Sequence, residues 1–264
     1  MKKSLLTAFL IAIMISGIVF VNGVHFGLAQ TSTNVSGIII SDTVWTKTNS
    51  PYSLTGPTAV NRGVTLTIEH GATVNLNNYY MQVNGTLQAV GTNADPIRFN
   101  DGVAIPSYAI VFTSVANGWN EQTGSGNIIE NAVVASTITS SVSLKLHNNT
   151  INAPVTFGGS SIVTGNIATA GVGVSGSSVV MNNTFASLLT AKDSTIVKNN
   201  TLSGGVYCGG TSEISYTLSL TEVLRAATES TARGILTSQT MSSQAGVRES
   251  VWTLNSSQKA DPHS

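Results

Sequence analysis

The chain has 264 residues, with 12 Lys+Arg against 12 Asp+Glu and a formal net charge of +0. That balance excludes a basic nucleic-acid surface and an acidic field for steering cations, and a hydrophobic share of 41% is too high for a disordered chain. A single cysteine, Cys208, excludes an intramolecular disulfide, so the core must come from packing and backbone hydrogen bonds, with Cys208 read as a small buried hydrophobe.

The chain opens with Met1, Lys2 and Lys3, then runs apolar and uncharged from Leu5 to Val21. Gly27 and Ala29 take the −3 and −1 places of a cut before Gln30. This is the pattern of a secretory signal peptide. The apolar run approaches the ~20 residues that span a bilayer, so an uncleaved anchor is the alternative. Residues 1–29 are therefore expected to be a signal peptide or N-terminal anchor. The rest is expected to be secreted or displayed at the cell surface, with membrane contact only through that segment.

Residues 30–211 read as β-structure. Val64-Thr65-Leu66-Thr67-Ile68 alternates apolar and hydroxyl residues, as a half-buried strand does. Gly71 turns the chain, and Ala72-Thr73-Val74-Asn75-Leu76 alternates again. Val83-Asn84-Gly85-Thr86-Leu87, Gly91-Thr92 and Pro96-Ile97-Arg98-Phe99 follow. This front half, from Gly63 through Glu69-His70-Gly71-Ala72 to Phe99, resembles the opening coils of secreted right-handed parallel β-helix proteins of the pectin-lyase-like group. Where that group often carries Glu-Pro-Gly, this chain has Glu69-His70-Gly71. The resemblance covers about residues 38–211 and implies the fold. It is weak for activity, because the fold hosts lyases, hydrolases, adhesins and inert surface proteins.

The second half repeats. Asn149, Asn166, Asn183 and Asn200 stand seventeen residues apart. The same step links Leu146, Val163, Val180 and Val197, then Ile151, Ala168, Phe185 and Leu202, then Val155, Val172, Leu189 and Val206. Ser160, Ser177, Ser194 and Thr211 form a hydroxyl column; Gly159, Gly176, Asp193 and Gly210 form a turn column. One period earlier Ile129, Val134 and Ile138 fit, and Asn131 joins Asn148, Asn182 and Asn199. Seventeen residues cannot hold two helices and their turns. Short strands broken by Asn, Gly and Ser can stack so that like side chains lie over like. The expected fold is thus an all-β, right-handed parallel β-helix with 17-residue coils. Its Asn column is a structural ladder, since the amide both donates and accepts.

The frame stops near Thr211. Residues 212–264 form an atypical tail, with a short helix expected over Glu222 to Arg233. Two origins stay open: a cap over the last coil's edge, or residues introduced by a frame change.

Chemistry is sparse. Before residue 212 the acidic residues are Asp42, Glu69, Asp95, Asp101, Glu121, Glu130 and Asp193, none repeating at the coil period. Cleaving a glycosidic bond needs two carboxyl groups across it. The best acidic cluster is Asp95 and Asp101 converging with Glu121 or Glu130, although Asp95-Pro96 and Asp101-Gly102 read more simply as turns. His25, His70, His147 and His263 lack metal-binding spacing, so no metal and no cofactor is expected. Gly171-Val172-Gly173 reads as a coil turn and not a phosphate loop. Aromatic side chains that could stack on sugars are Trp119, Tyr79, Tyr80 and Tyr108, with Trp45 also in the front half. Trp119 lies in a polar loop, where it either extends to a glycan or tucks onto the coil surface. Asn-x-Ser/Thr acceptors occur at Asn34, Asn84, Asn148, Asn182, Asn199 and Asn255.

The expected function is an exported, non-catalytic β-helix scaffold for surface structure, adhesion or carbohydrate recognition, whose partners are glycans or cell-surface components and not nucleic acid. The alternatives are a polysaccharide lyase or hydrolase, a truncated relative of one, or an accessory module of a larger exported assembly.

Overall fold

Three-residue stretches with alternating apolar residues, broken by Asn, Gly and Ser, bury too little surface per turn to make a core alone. Stacking the turns supplies it. The computed structural model describes residues 32–100, 110–218, 235–242 and 248–255, with side chains through residue 213. The expected signal segment (1–29), Asp101, Tyr108 and the expected helix at Glu222 to Arg233 lie outside the described residues. The chain forms a parallel β-solenoid of about 9 turns.

Each turn contributes three short strands. The first face stacks Thr43–Trp45, Thr65–Ile68, Thr86–Val90, Ile128–Glu130, Lys145–His147, Ile162–Thr164, Val179–Met181 and the start of Ile196–Leu202. The second stacks Thr73–Asn75, Ile97–Asn100, Ala132–Val134, Thr150–Ile151, Ile167–Ala168, Thr184–Phe185 and the end of Ile196–Leu202. The third stacks Met81–Val83, Ile110–Phe112, Ile138–Ser140, Val155–Phe157, Val172–Val174, Leu189–Ala191 and Val206–Cys208. Thr33–Ile39 and Tyr52–Val60 are longer and run across the second and third faces.

The apolar columns lie in register. Leu146, Val163, Val180 and Val197 pair rung to rung, each 0% exposed. Ile151, Ala168, Phe185 and Leu202 form the second buried column. Val155, Val172 and Leu189 form the third, with Val206 partly buried at its end. Each fully buried aliphatic or aromatic side chain contributes ~1.5–3 kcal/mol against the conformational entropy of ordering the chain. At the front, Trp45 and Tyr52 stack with centroids 4.8 Å apart, and the Tyr52 hydroxyl accepts from the Thr46 N–H.

Coil size is not the uniform 17 residues expected. Bonded partners stand 17 apart for Asn149 and Asn166, 23 for Thr65 and Asp42, 25 for Asn100 and Asn75, and 29 for Thr113 and Asn84. The turns lie about 19 apart. The faces fix strand length, but the corners do not. A loop leaving a corner points away from the core, and its closure entropy grows only slowly with length.

The Asn column is buried and continuous. Asn149, Asn166 and Asn183 each donate Nδ2–H to Oδ1 of the next Asn, at 3.0, 2.9 and 2.9 Å. The same Oδ1 also accepts the preceding Asn's backbone N–H. The residue before each ladder Asn makes the corner with a left-handed backbone: φ is 53° at Asn148, 68° at Gly165, 56° at Asn182 and 53° at Asn199. Asn and Gly reach that region most readily. A second corner column does the same through Gly159, Gly176, Asp193 and Gly210. There a Cβ on Gly176 would run into the Gly159 carbonyl.

A second polar column is buried, one residue after the hydroxyl column that the sequence repeats. Ser160, Ser177, Ser194 and Thr211 are exposed, whereas Ser161, Ser178, Thr195 and Ser212 point inward. Each inward hydroxyl donates to the carbonyl three residues back, at Gly158, Ser175, Lys192 and Gly209. The two columns have the same residue types, so only the direction of the pleat separates them.

Beyond the repeats, Glu213–Leu218 still pairs in parallel with Ile196–Leu202. It then accepts Arg248–Asn255 as an antiparallel neighbour, which pairs with Ile235–Ser242. The parallel order therefore gives way to a hairpin.

Cys208 sits in the inward column of the third face, in register with Ala191 and packed against the core. Burial pushes its thiol up to about 12, so almost no thiolate exists at neutral pH. Native protein is expected to label with maleimide far more slowly than protein in concentrated guanidinium chloride. Equal rates would show that the thiol is not packed.

Candidate functional site

Residues 113–127 leave the wall between the third and first faces and return in register. The stem is tied down: Asn117 N–H donates to the Gly85 carbonyl at 3.0 Å and Asn127 N–H to the Asn117 carbonyl at 3.2 Å. Asn127 is fully buried, and its Oδ1 accepts the Leu87 N–H at 2.7 Å. The tip is closed by an Asn120–Ser125 bridge and by Asn120 Oδ1, which accepts from Gln122 and Thr123.

This loop carries Trp119 onto the first face. Its backbone N–H donates to the Ser143 carbonyl at 2.8 Å. The indole N–H donates to Glu121 Oε2 at 2.6 Å, and Lys145 Nζ stands 4.8 Å from the ring centroid. Lys145 also pairs with Glu121 at 3.9 Å. A cation over an indole contributes ~0.5–1 kcal/mol at exposed sites. Of the two arrangements open for Trp119, the structure has the tucked one: the ring is half-buried, with one cation and one carboxylate beside it. Such a ring can still stack on a flat apolar ligand face while its neighbours hydrogen-bond to hydroxyls. Lys145 was not singled out from the sequence. The available signal was a charge in a column that continues as Ile162, Val179 and Ile196.

Tyr79 and Tyr80 do not join Trp119. They are 39% and 46% exposed and lie at the corner between the second and third faces, beside the left-handed Asn77 and Asn78. Tyr108 lies outside the described residues.

Among the described residues, the acidic candidates Asp95, Glu121 and Glu130 also part company. Asp95 sits at the corner between the first and second faces. There its Oδ2 accepts from Lys47 Nζ at 3.0 Å and stands 3.5 Å from His70 Nδ1. Glu69 Oε2 accepts the Lys47 backbone N–H at 3.2 Å. Glu121 is held by Trp119 and Lys145, and Glu130 stands 3.5 Å from Asn131 Nδ2. The Lys47 ammonium, by hydrogen bond and charge, holds the Asp95 carboxyl below its ordinary 3.8. This small contribution to stability is present above the ordinary carboxylate value and is lost as pH falls through the lowered one. The cluster staples three successive corners: Gly71 N–H also donates to the Asp95 carbonyl, and Asp95 N–H to Thr92 Oγ1.

His147 lies on the first face with Nδ1 2.8 Å from Thr164 Oγ1. Among the described residues, no three His, Cys, Asp or Glu side chains gather to hold a metal. Around Gly173, the third face dips into a shallow depression of about 400 Å³ between Thr156, Thr190, Leu188 and Lys192.

No family model, curated protein or solved structure matches the chain.

Proposed function

We propose that the protein is an exported, non-catalytic β-solenoid serving surface structure, adhesion or carbohydrate recognition, with the Trp119 loop as its contact region. The single supporting observation is the placement of Trp119: a half-buried indole held on the first face beside Lys145 and Glu121. Glycans are the matching partner class, because a sugar offers an apolar ring face for stacking and hydroxyls for the flanking charges. The proposal includes a right-handed winding, kinship with the pectin-lyase-like group, a regular seventeen-residue coil in the rear half, and export by the N-terminal segment.

A second reading, a polysaccharide lyase or hydrolase, draws on one observation. Glu69, Asp95, His70 and Lys47 meet at an exposed corner. Their bonds to backbone and to one another fit a staple better, since each carboxylate is already engaged.

A glycan array with the full chain tests the first reading. Trp119→Ala is expected to weaken the bound glycan about tenfold or more, the usual cost of truncating a central aromatic anchor. Binding that is indifferent to Trp119→Ala would refute the contact assignment. Turnover of an acidic polysaccharide that vanishes in Asp95→Asn would favour the enzyme.

A further inference from the structure

We infer that the corner between the first and second faces is an N-glycan-bearing edge, with Asn148, Asn182 and Asn199 as acceptors. The inference draws on export but not on the Trp119 contact. In each Asn-Asn-Thr triplet the structure divides the labour. The second Asn is buried in the ladder, while the first stands exposed at the corner and the Thr is exposed on the adjoining face. Both residues that a glycosyltransferase must recognise therefore face solvent, one coil step of roughly 4.8 Å separating the Asn182 and Asn199 copies.

Scaffold geometry alone does not require this pairing. Gly165 makes the same left-handed corner with φ 68°. In that coil the position in register with Thr150 and Thr184 is Ile167, which is 55% exposed. The corner tolerates Gly and the face tolerates Ile. Exposed corner Asn and Thr occur together in the other three coils; at Gly165 the Asn148 side-chain oxygen leaves no room for a Cβ, but the Ile167 place, in register with Thr150 and Thr184, carries no such restriction. Asn131 is the remaining corner Asn; it is followed by Val133 at the Thr position, and its own Nδ2 donates to the Gly91 carbonyl at 3.1 Å. The acceptor sequence at Asn84 is built differently. Asn84 Oδ1 accepts from Gln82 Nε2 at 2.9 Å and Thr113 Oγ1 at 2.8 Å, and Thr86 is buried.

The modification is a group transfer from a lipid-phosphate-linked oligosaccharide. The Asn Nδ2 attacks sugar C1, and the N–C1 bond forms as the C1–O bond to phosphate breaks. The lipid phosphate leaves with the electron pair, and the amide proton passes to a base of the transferase. The product is a sugar-covered edge beside outward positions that carry no charge, such as Thr150, Ile167, Thr184 and Thr201.

The full chain, with its own N-terminus, would be produced in a glycosylating eukaryotic host. Glycopeptides of the extracellular protein would then be sequenced by mass spectrometry. Glycan is expected on Asn148, Asn182 and Asn199 copies, with Asn84 bare. Two triple variants check the assignment without removing the corner: Asn148→Gly/Asn182→Gly/Asn199→Gly and Thr150→Val/Thr184→Val/Thr201→Val. Both are expected to lose the added mass while keeping the parent's β-type circular dichroism. Bare corners on extracellular protein, or glycan confined to Asn34 or Asn84, would overturn the edge and leave export intact. A chain that never leaves the cytoplasm would overturn both.

Discussion

Phe185→Ala is expected to lower the free energy of unfolding by about 3–5 kcal/mol, the range for deleting a buried aromatic ring. Phe185 is 0% exposed and ranks among the largest fully buried side chains. Its column neighbours are Ala168 and Leu202, in register on either side. The ring therefore fills space that Ala168 leaves empty. Collapse onto the void is resisted by the rungs, because Thr184 N–H donates to the Asn166 carbonyl and Ala186 N–H to the Ala168 carbonyl, both at 2.8 Å. Urea titration followed by circular dichroism measures the loss, and Phe185→Leu should lose less. A shift of the midpoint no larger than for an exposed site would contradict the buried column.

Asn183→Ala is expected to cost about 3 kcal/mol, through polar atoms left behind more than through lost volume. Asn183 Oδ1 takes the Asn166 backbone N–H at 2.8 Å and the Asn166 Nδ2–H at 2.9 Å. Its own Nδ2 donates to the Val163 carbonyl at 2.8 Å and to Asn200 Oδ1 at 2.9 Å. Alanine strands the Asn166 backbone N–H in a dry interior and takes one of its donors from the Val163 carbonyl. An unmade buried hydrogen bond costs ~1–3 kcal/mol per group. The exposed corner variant Asn182→Gly removes no such partner and should change the midpoint little, since Gly165 already serves that role. Equal losses for Asn182→Gly and Asn183→Ala would refute the ladder as a source of stability. Because a stacked array can unfold in parts, both variants are best compared by denaturation midpoint and slope together.

The columns could be read because repetition restates one geometric constraint in every coil. Leu146, Val163, Val180 and Val197 share a residue class only because each meets the same interior, and they do lie in register. The Asn ladder was legible for the same reason. Properties that depend on one residue's direction were not. Ser160 and Ser161 are alike in type, yet only Ser161 is buried. Coil size misled because seventeen was read where corners are short, whereas Thr113 and Asn84 bond across 29 residues around a long corner. The Trp119 site was half legible: the loop and its indole stood out in the sequence. Lys145 arrives from a different coil, so its meeting with the ring is a tertiary fact. Likewise Lys47 is 48 residues from Asp95, and nothing in either neighbourhood announces the pair.

The ladder is blind to counting. Every amide from Asn149 to Asn200 repeats at one step, so the column would be nearly as well satisfied if a coil bulged out and its neighbours closed over the gap. The core distinguishes the two outcomes. Skipping the Ala168 coil would set Phe185 directly on Ile151, and such overpacking costs ~1–3 kcal/mol. Gly165 acts as a second mark, because the Asn148 side-chain oxygen lies where a Cβ at that position would be. Odd members of each column thus number the coils, and a chain evened out to identical repeats would be expected to populate slipped assemblies.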